Sequence, residues 1–394
     1  MRTLFAKRFF LTVIVLLFMA AALEILSRLY LGAVLHKSPE RKFQFDSYRI
    51  YANRPGFREG DGRRDWIVHN SQGFRRTEPV IKEKPAGVFR VFLLGGSAAA
   101  GVSSAPPYPV RHLYNHETID AFLEKLLRRK YPARRVEVIN AAVTGYQVFQ
   151  HTSYLLAELL DYSPDLVVFF DGYNDHFTVN PHYDYYADNI YQFWKPRLQT
   201  PSFEGLIDYG ALLLSNWSGF ARGYYAWKKQ YDSSRNRKRK KMSSHDPLYD
   251  SDRLAAEHRM AARRQFLRSV SVNLLLLRHF SIDSIVCLQP GLPLREPGLC
   301  SEAENGFDDI VPGKLKKALY PVVADELAAV ARQYGAAFVD MIPVFNDPQL
   351  QGRQLFIDYC HLTAAGSRAV AEALLPPVEA VLEKRIVSGD DGKQ

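Results

Sequence analysis

Five short apolar runs recur along the chain: VFRVFLL at 88–94, VEVIN at 136–140, DLVVFF at 165–170, DSIVCL at 283–288 and AAFVDM at 336–341. Runs of this length, rich in β-branched and aromatic residues, suit strands buried on both faces. Between and after them, apolar residues follow helical spacing over 117–131, 150–161, 253–280, 313–335 and 363–384. The first of these stops before Pro132, which cannot continue a helix. Alternating strand and helix predicts an α/β fold, a five-stranded parallel sheet with helices on both faces. In such sheets reactive groups gather beyond the carboxyl ends of the strands.

The amino end has a different pattern. Arg2, Lys7 and Arg8 precede an uncharged stretch from Phe9 to Leu23, and after Glu24 and Arg28 apolar residues resume to Leu35. Two readings stand. A cleaved signal peptide would use the small residues Ala20 to Ala22. A retained anchor would run from about Phe9 to about Tyr30, with Glu24 and Arg28 near the far interface. Both export the remainder, and the anchor is the favoured reading: a single-pass membrane helix at 1–35 with the catalytic part on the periplasmic or extracellular side. Residues 36–68 are mixed and polar and are expected to be a tether, 69–384 the catalytic domain, and 385–394 a tail.

One segment interrupts the alternation. Residues 176–252 are rich in Tyr, Asn, Asp and basic residues and are expected to be an insertion over the active end of the sheet. It holds the run Arg235-Asn236-Arg237-Lys238-Arg239-Lys240-Lys241, a large part of the formal net charge of +9. A local run of that kind reads as a solvated loop. No zinc-ligand spacing and no RNA-binding aromatic signature is present, so nucleic acid is not an expected partner. Of the three cysteines, Cys287 falls in a strand, and a Cys300–Cys360 disulfide is the expected pairing for an exported chain.

The candidate chemistry lies where the strands end. LLGGSAAAG follows the first run, and Ser97 there is either a nucleophile or the cap of a helix. The stretch is not G-x-S-x-G, since Ala99 holds the last position, and it has neither phosphate-loop signature. Gly145 follows the second run in VTGYQ, and Gly172, Asn174 and Asp175 follow the third in DGYND. Glycine admits a ligand close to the backbone, and an Asn amide can donate to an oxyanion. Asp358 and His361 stand three apart in FIDYCHLTAAG, a spacing that lets a carboxylate fix the imidazole tautomer. Thr363 is the expected cap of the last helix.

Taken in order, GGSAAAG, VTGYQ, DGYND and DYCH resemble the blocks of the SGNH hydrolases, the GDSL esterase/lipase superfamily. The resemblance covers about 69–384 and includes the element Asn70-x-x-Gly73-Phe74-Arg75 found in membrane-anchored bacterial members. Gly95-Gly96-Ser97-Ala98 stands where GDSL would. The resemblance implies a flavodoxin-like three-layer sandwich and a Ser97–His361–Asp358 triad. Its oxyanion hole would comprise the Ser97 and Gly145 backbone N–H groups and the Asn174 amide. It implies no metal and no organic cofactor. The expected function is an exported serine esterase removing O-acyl, in particular acetyl, groups from a carbohydrate or envelope polymer. The alternatives are an acyltransferase acting on an exopolysaccharide and a catalytically silent binding module.

Overall fold

The computed structural model describes residues 2–33, 42–60, 64–103, 112–175, 252–306 and 313–388, with positions 210, 214, 218–224 and 227 between them. The expected insertion at 176–252 lies outside the described residues apart from those few positions and Asp252. The basic run lies wholly outside them.

Helix α1 (Arg2–Ala33) leads into two antiparallel hairpins, β1 (Phe43–Asp46) with β2 (Ile50–Asn53) and β3 (Arg58–Gly60) with β4 (Asp65–Val68). The five apolar runs become β5 (Val88–Gly95), β6 (Arg135–Asn140), β7 (Leu166–Asp171), β8 (Asp283–Leu288) and β9 (Ala337–Asp340). They pair in parallel in the order β6-β5-β7-β8-β9. This is the flavodoxin-like doubly wound order, with the first two strands exchanged. The long helices are α2 (Ile119–Lys130), α3 (Val148–Ala157), α4 (Asp252–His279), α5 (Gly313–Tyr334) and α6 (Ala364–Ser388).

Side-chain alternation divides the core into two layers. Phe89, Val91 and Leu93 of β5 pack with Leu123 of α2 and Leu374 of α6. Phe92 and Leu94 point the other way, toward Leu155 of α3, Leu274 of α4 and Leu327 of α5. Successive residues of a strand face opposite sides, so a run apolar at every position requires cover on both. The charge inside VFRVFLL is satisfied: buried Arg90 donates from Nε to Glu137 (2.9 Å) and from Nη1 to the Tyr162 carbonyl (2.7 Å).

Three expectations need correction. Residues 43–68 are not a loose tether, because Tyr51, Phe57 and Ile67 of the hairpins are buried in the two core layers. Residues 385–388 extend α6 rather than starting a tail; 389–394 lie outside the described residues. The Cys300–Cys360 disulfide does not form, and all three cysteines are thiols. Cys300 turns its Sγ toward the Glu296 carbonyl, whereas Cys360 is buried with its Sγ 3.6 Å from the His361 ring.

Candidate active site

Ser97 opens a tight turn, not a helix. Its carbonyl accepts from Val102 N (3.0 Å), the Gly96 carbonyl accepts from Ala100 N (3.0 Å), and among the described residues the next α-helix begins at Ile119. The capping alternative therefore has no helix to cap. Ala98, Ala99 and Ala100 are buried, while Ser97 keeps partial exposure. The turn is tied from behind by Asn140 at the end of β6. Its amide donates to the Ala99 carbonyl (2.9 Å) and to Asp120 (2.7 Å).

The Ser97 hydroxyl lies 2.6 Å from His361 Nε2. His361 Nδ1 lies 2.7 and 2.9 Å from the two Asp358 oxygens. A carboxylate at Nδ1 fixes the tautomer with its proton there, leaving the Nε2 lone pair toward the serine. Asp358 also accepts from the backbone N–H groups of Cys360 (3.0 Å) and His361 (2.9 Å). Burial pushes its carboxyl pKa up, but the His361 ring and these two donors outweigh that and hold it well below the usual carboxylate range. The ligand atoms of Asp358, Cys360 and His361 lie within 4.8 Å of one another, a grouping that could hold a metal ion. Both imidazole nitrogens, however, are engaged within the relay.

Asn174 and Gly145 lie in the two loops that flank the serine turn, joined through the Tyr146 carbonyl. Asn174 Nδ2 donates to the Tyr146 carbonyl (2.9 Å), and a primary amide nitrogen carries a second hydrogen to give. A Cβ on Gly96 would stand 2.2 Å from that nitrogen, so only glycine at 96 admits the amide here. Gly145 has φ of 83°, in the left-handed region that favours glycine. The loop around it is held by the first hairpin. Tyr51 donates to the Thr144 carbonyl (2.9 Å), Asn53 to the Ala142 carbonyl (3.0 Å) and Lys42 to the Thr144 hydroxyl (3.1 Å). Asp175 does not reach the relay; it accepts from Val148 N (3.0 Å) and Gly172 N (3.2 Å), fastening the start of α3.

The Asn70-x-x-Gly73-Phe74-Arg75 element is a buried turn. Asn70 accepts from Gln72 N and Phe74 N, both at 3.0 Å, and Arg75 N donates to the Asn140 carbonyl (3.0 Å). It thus buttresses the residue that ties the serine turn. Thr363 caps α6 as expected, accepting from Gly366 N (3.1 Å).

Three contributors were missed in the sequence. The buried Arg295–Glu304 pair (2.5 Å) grips the strand-like approach to Asp358: Glu304 accepts from Leu355 N and Phe356 N at 2.8 and 2.9 Å. Read singly in sequence, two charges on separate loops carry no such signal. Tyr359 stands with its ring 6.1 Å from that of His361, and Tyr173 lies 5.9 Å from Tyr359. Their positions inside DGYND and DYCH were the available hint. Buried His151 meets Asp171 at 3.0 Å near the carboxyl end of β7, a second His–Asp contact in the fold.

No family model matches the chain, and no curated protein matches it. Solved structures do. An alpha/beta hydrolase enzyme from the metagenome of Lake Arreo is 16% identical at a TM-score of 0.41, over 75% of this chain and 97% of that one. An acetylxylan esterase from Geobacillus stearothermophilus is 14% identical at 0.40, over 74% and 94%. The acetyl xylan esterase AlAXEase is 15% identical at 0.39, over 73% and 98%.

Proposed function

We propose that the chain is a serine esterase of the SGNH type, held in a membrane by α1, with its catalytic domain outside the cytoplasm. The observation that carries this reading is the position of His361, within hydrogen-bond reach of Ser97 on one side and Asp358 on the other. Nucleophile, base and orienting carboxylate within such distances are the arrangement that serine acyl transfer needs.

In the proposed mechanism Ser97 Oγ attacks the ester carbonyl carbon as its proton passes to His361 Nε2. The carbonyl π electrons move to oxygen, and the Ser97 and Gly145 N–H groups and the Asn174 amide receive that oxyanion. Asp358 stabilises the imidazolium without taking its proton. Collapse of the tetrahedral intermediate expels the alkoxide, which leaves with the His361 proton. Water, deprotonated by His361, then attacks the acyl-Ser97 ester; the second tetrahedral intermediate releases the carboxylic acid and returns the proton to Ser97. The small side chains behind Ser97 support a short acyl group. The Tyr173 and Tyr359 rings support an alcohol with an extended face, as on a sugar, and an acetylated carbohydrate is the substrate class proposed. No step calls on a metal or an organic cofactor.

The test is hydrolysis of p-nitrophenyl acetate and of acetylated xylo-oligosaccharide by the full chain and by Ser97→Ala, with and without an added sugar acceptor. Free acetate produced by the wild-type chain alone supports the reading. Acetyl groups appearing on the acceptor in place of acetate would reassign the enzyme as a transferase. Turnover that survives in Ser97→Ala would reject the nucleophile.

A further inference from the structure

Helix α1 contains an apolar window, Lys7–Tyr30, long enough to cross a bilayer, yet Glu24 lies inside it. If the hydrocarbon span begins at Phe9, about 20 residues fill it and Glu24 sits roughly 6 Å inside the far edge. An ionised carboxylate at that depth is costly unless its oxygens are satisfied. They are. One oxygen accepts from Arg28 Nε (2.7 Å) and the Gly219 N–H. The other accepts from the Ser218 hydroxyl (2.7 Å) and Phe220 N (3.1 Å). The donors at 218–220 open a short helical stretch, so the catalytic half of the chain reaches back to the anchor at the depth of Glu24. The contact is close: a Cβ on Gly219 would lie 2.6 Å from Arg28 Cγ.

Large apolar side chains are exposed in this stretch and at the described positions on either side of it. Leu214 is 58%, Phe220 48% and Trp227 59% exposed, next to a helix whose own apolar side chains are equally uncovered. Aromatic residues at the headgroup level are what an interfacial segment presents.

We propose that the stretch 218–224, docked on Glu24 and Arg28, lies in the membrane interface, and that lipid covers Phe220 together with Leu214 and Trp227 on either side of it. The occupant is a bilayer because the patch is continuous with the apolar surface of α1 and is pinned to it at interfacial depth. The inference rests on α1 being a retained anchor. It makes the membrane attachment two-point, fixing the orientation of the catalytic domain over the surface instead of leaving it on a swivel.

The experiment uses the full-length chain in phosphatidylethanolamine/phosphatidylglycerol vesicles with brominated acyl chains, in a Cys300→Ser background. Bimane is placed at Leu16→Cys in the span, at Phe220→Cys, or at Val387→Cys on the water-exposed end of α6. The expected result is strong quenching at 16 and 220 and little at 387. Adding Glu24→Ala should at least halve the quenching at 220 and leave that at 16 unchanged. Quenching at 16 with none at 220 overturns the interfacial segment, as would cover by a protein partner, while the anchor stands. No quenching at 16 overturns the anchor and the inference together. Quenching at 220 that ignores Glu24→Ala overturns the docking contact.

Discussion

Gly96→Ala adds one methyl group, and the structure says where it goes. The new Cβ would stand 2.2 Å from Asn174 Nδ2, where ordinary contact begins at 3.4 Å. The backbone of Gly96 is packed between β5 and the serine turn, so the amide, at the end of a side chain, is what gives. It must retreat by about 1.2 Å, enough to take a donor out of the 2.7–3.1 Å range an oxyanion requires. Loss of one such donor costs about 10²–10³ in kcat, or about 2.7–4 kcal/mol of barrier. The assay is kcat and KM on p-nitrophenyl acetate, with thermal melts to establish that the variant is folded. Gly96→Ala and Asn174→Ala should fall in kcat alike, with KM little changed. The double variant should be no worse than Asn174→Ala, because both changes remove the same interaction. A Gly96→Ala enzyme with wild-type kcat, or a double variant whose losses multiply, would refute the placement of the Asn174 amide at the reacting oxygen.

Other consequences are equally specific. Asp358→Asn keeps the shape but removes the charge that orients His361, and kcat should drop on the order of 10³–10⁴, with a lower melting temperature as the stability linked to its depressed carboxyl is lost. Burial raises the Asp120 carboxyl to about 6, against hydrogen bonds from Thr118 and Asn140 and the charge of Arg75. Its folded value thus lies above its unfolded one, and the protonation contribution is whole below about pH 4 and lost as pH rises through about 6. Urea unfolding should show wild-type stability falling across that window by up to about 3 kcal/mol relative to Asp120→Asn; parallel profiles would show that Asp120 keeps an ordinary carboxylate value. Thiol titration in denaturant without reductant should count three thiols per chain, matching Cys287, Cys300 and Cys360; a count of one would restore the disulfide.

What was legible in the sequence was local. The strands announced themselves because a strand covered on both sides is apolar at nearly every position, as the fully buried β5 and β7 are in a parallel order. The site residues were legible because each stands at the carboxyl end of a strand or before the last helix. Whether Ser97 was a cap could not be read locally, since the partner that answers the question, His361, lies 264 residues away. The hairpins of 43–68 failed for a related reason. Strands such as Phe43–Asp46 and Arg58–Gly60 are too short and mixed to show a period, and it is tertiary burial of Tyr51, Phe57 and Ile67 that makes them structure. Arg295 and Glu304 look like surface charges until the fold places them together at 0% exposure.

The most direct test of the serine's role is labelling of the full chain with a fluorophosphonate, followed by intact mass and peptide mapping. The expected result is one adduct per chain, on the peptide containing Ser97, absent from Ser97→Ala and strongly slowed in His361→Ala. A folded chain that takes no label, or takes it elsewhere, contradicts the assignment of Ser97 as an activated nucleophile.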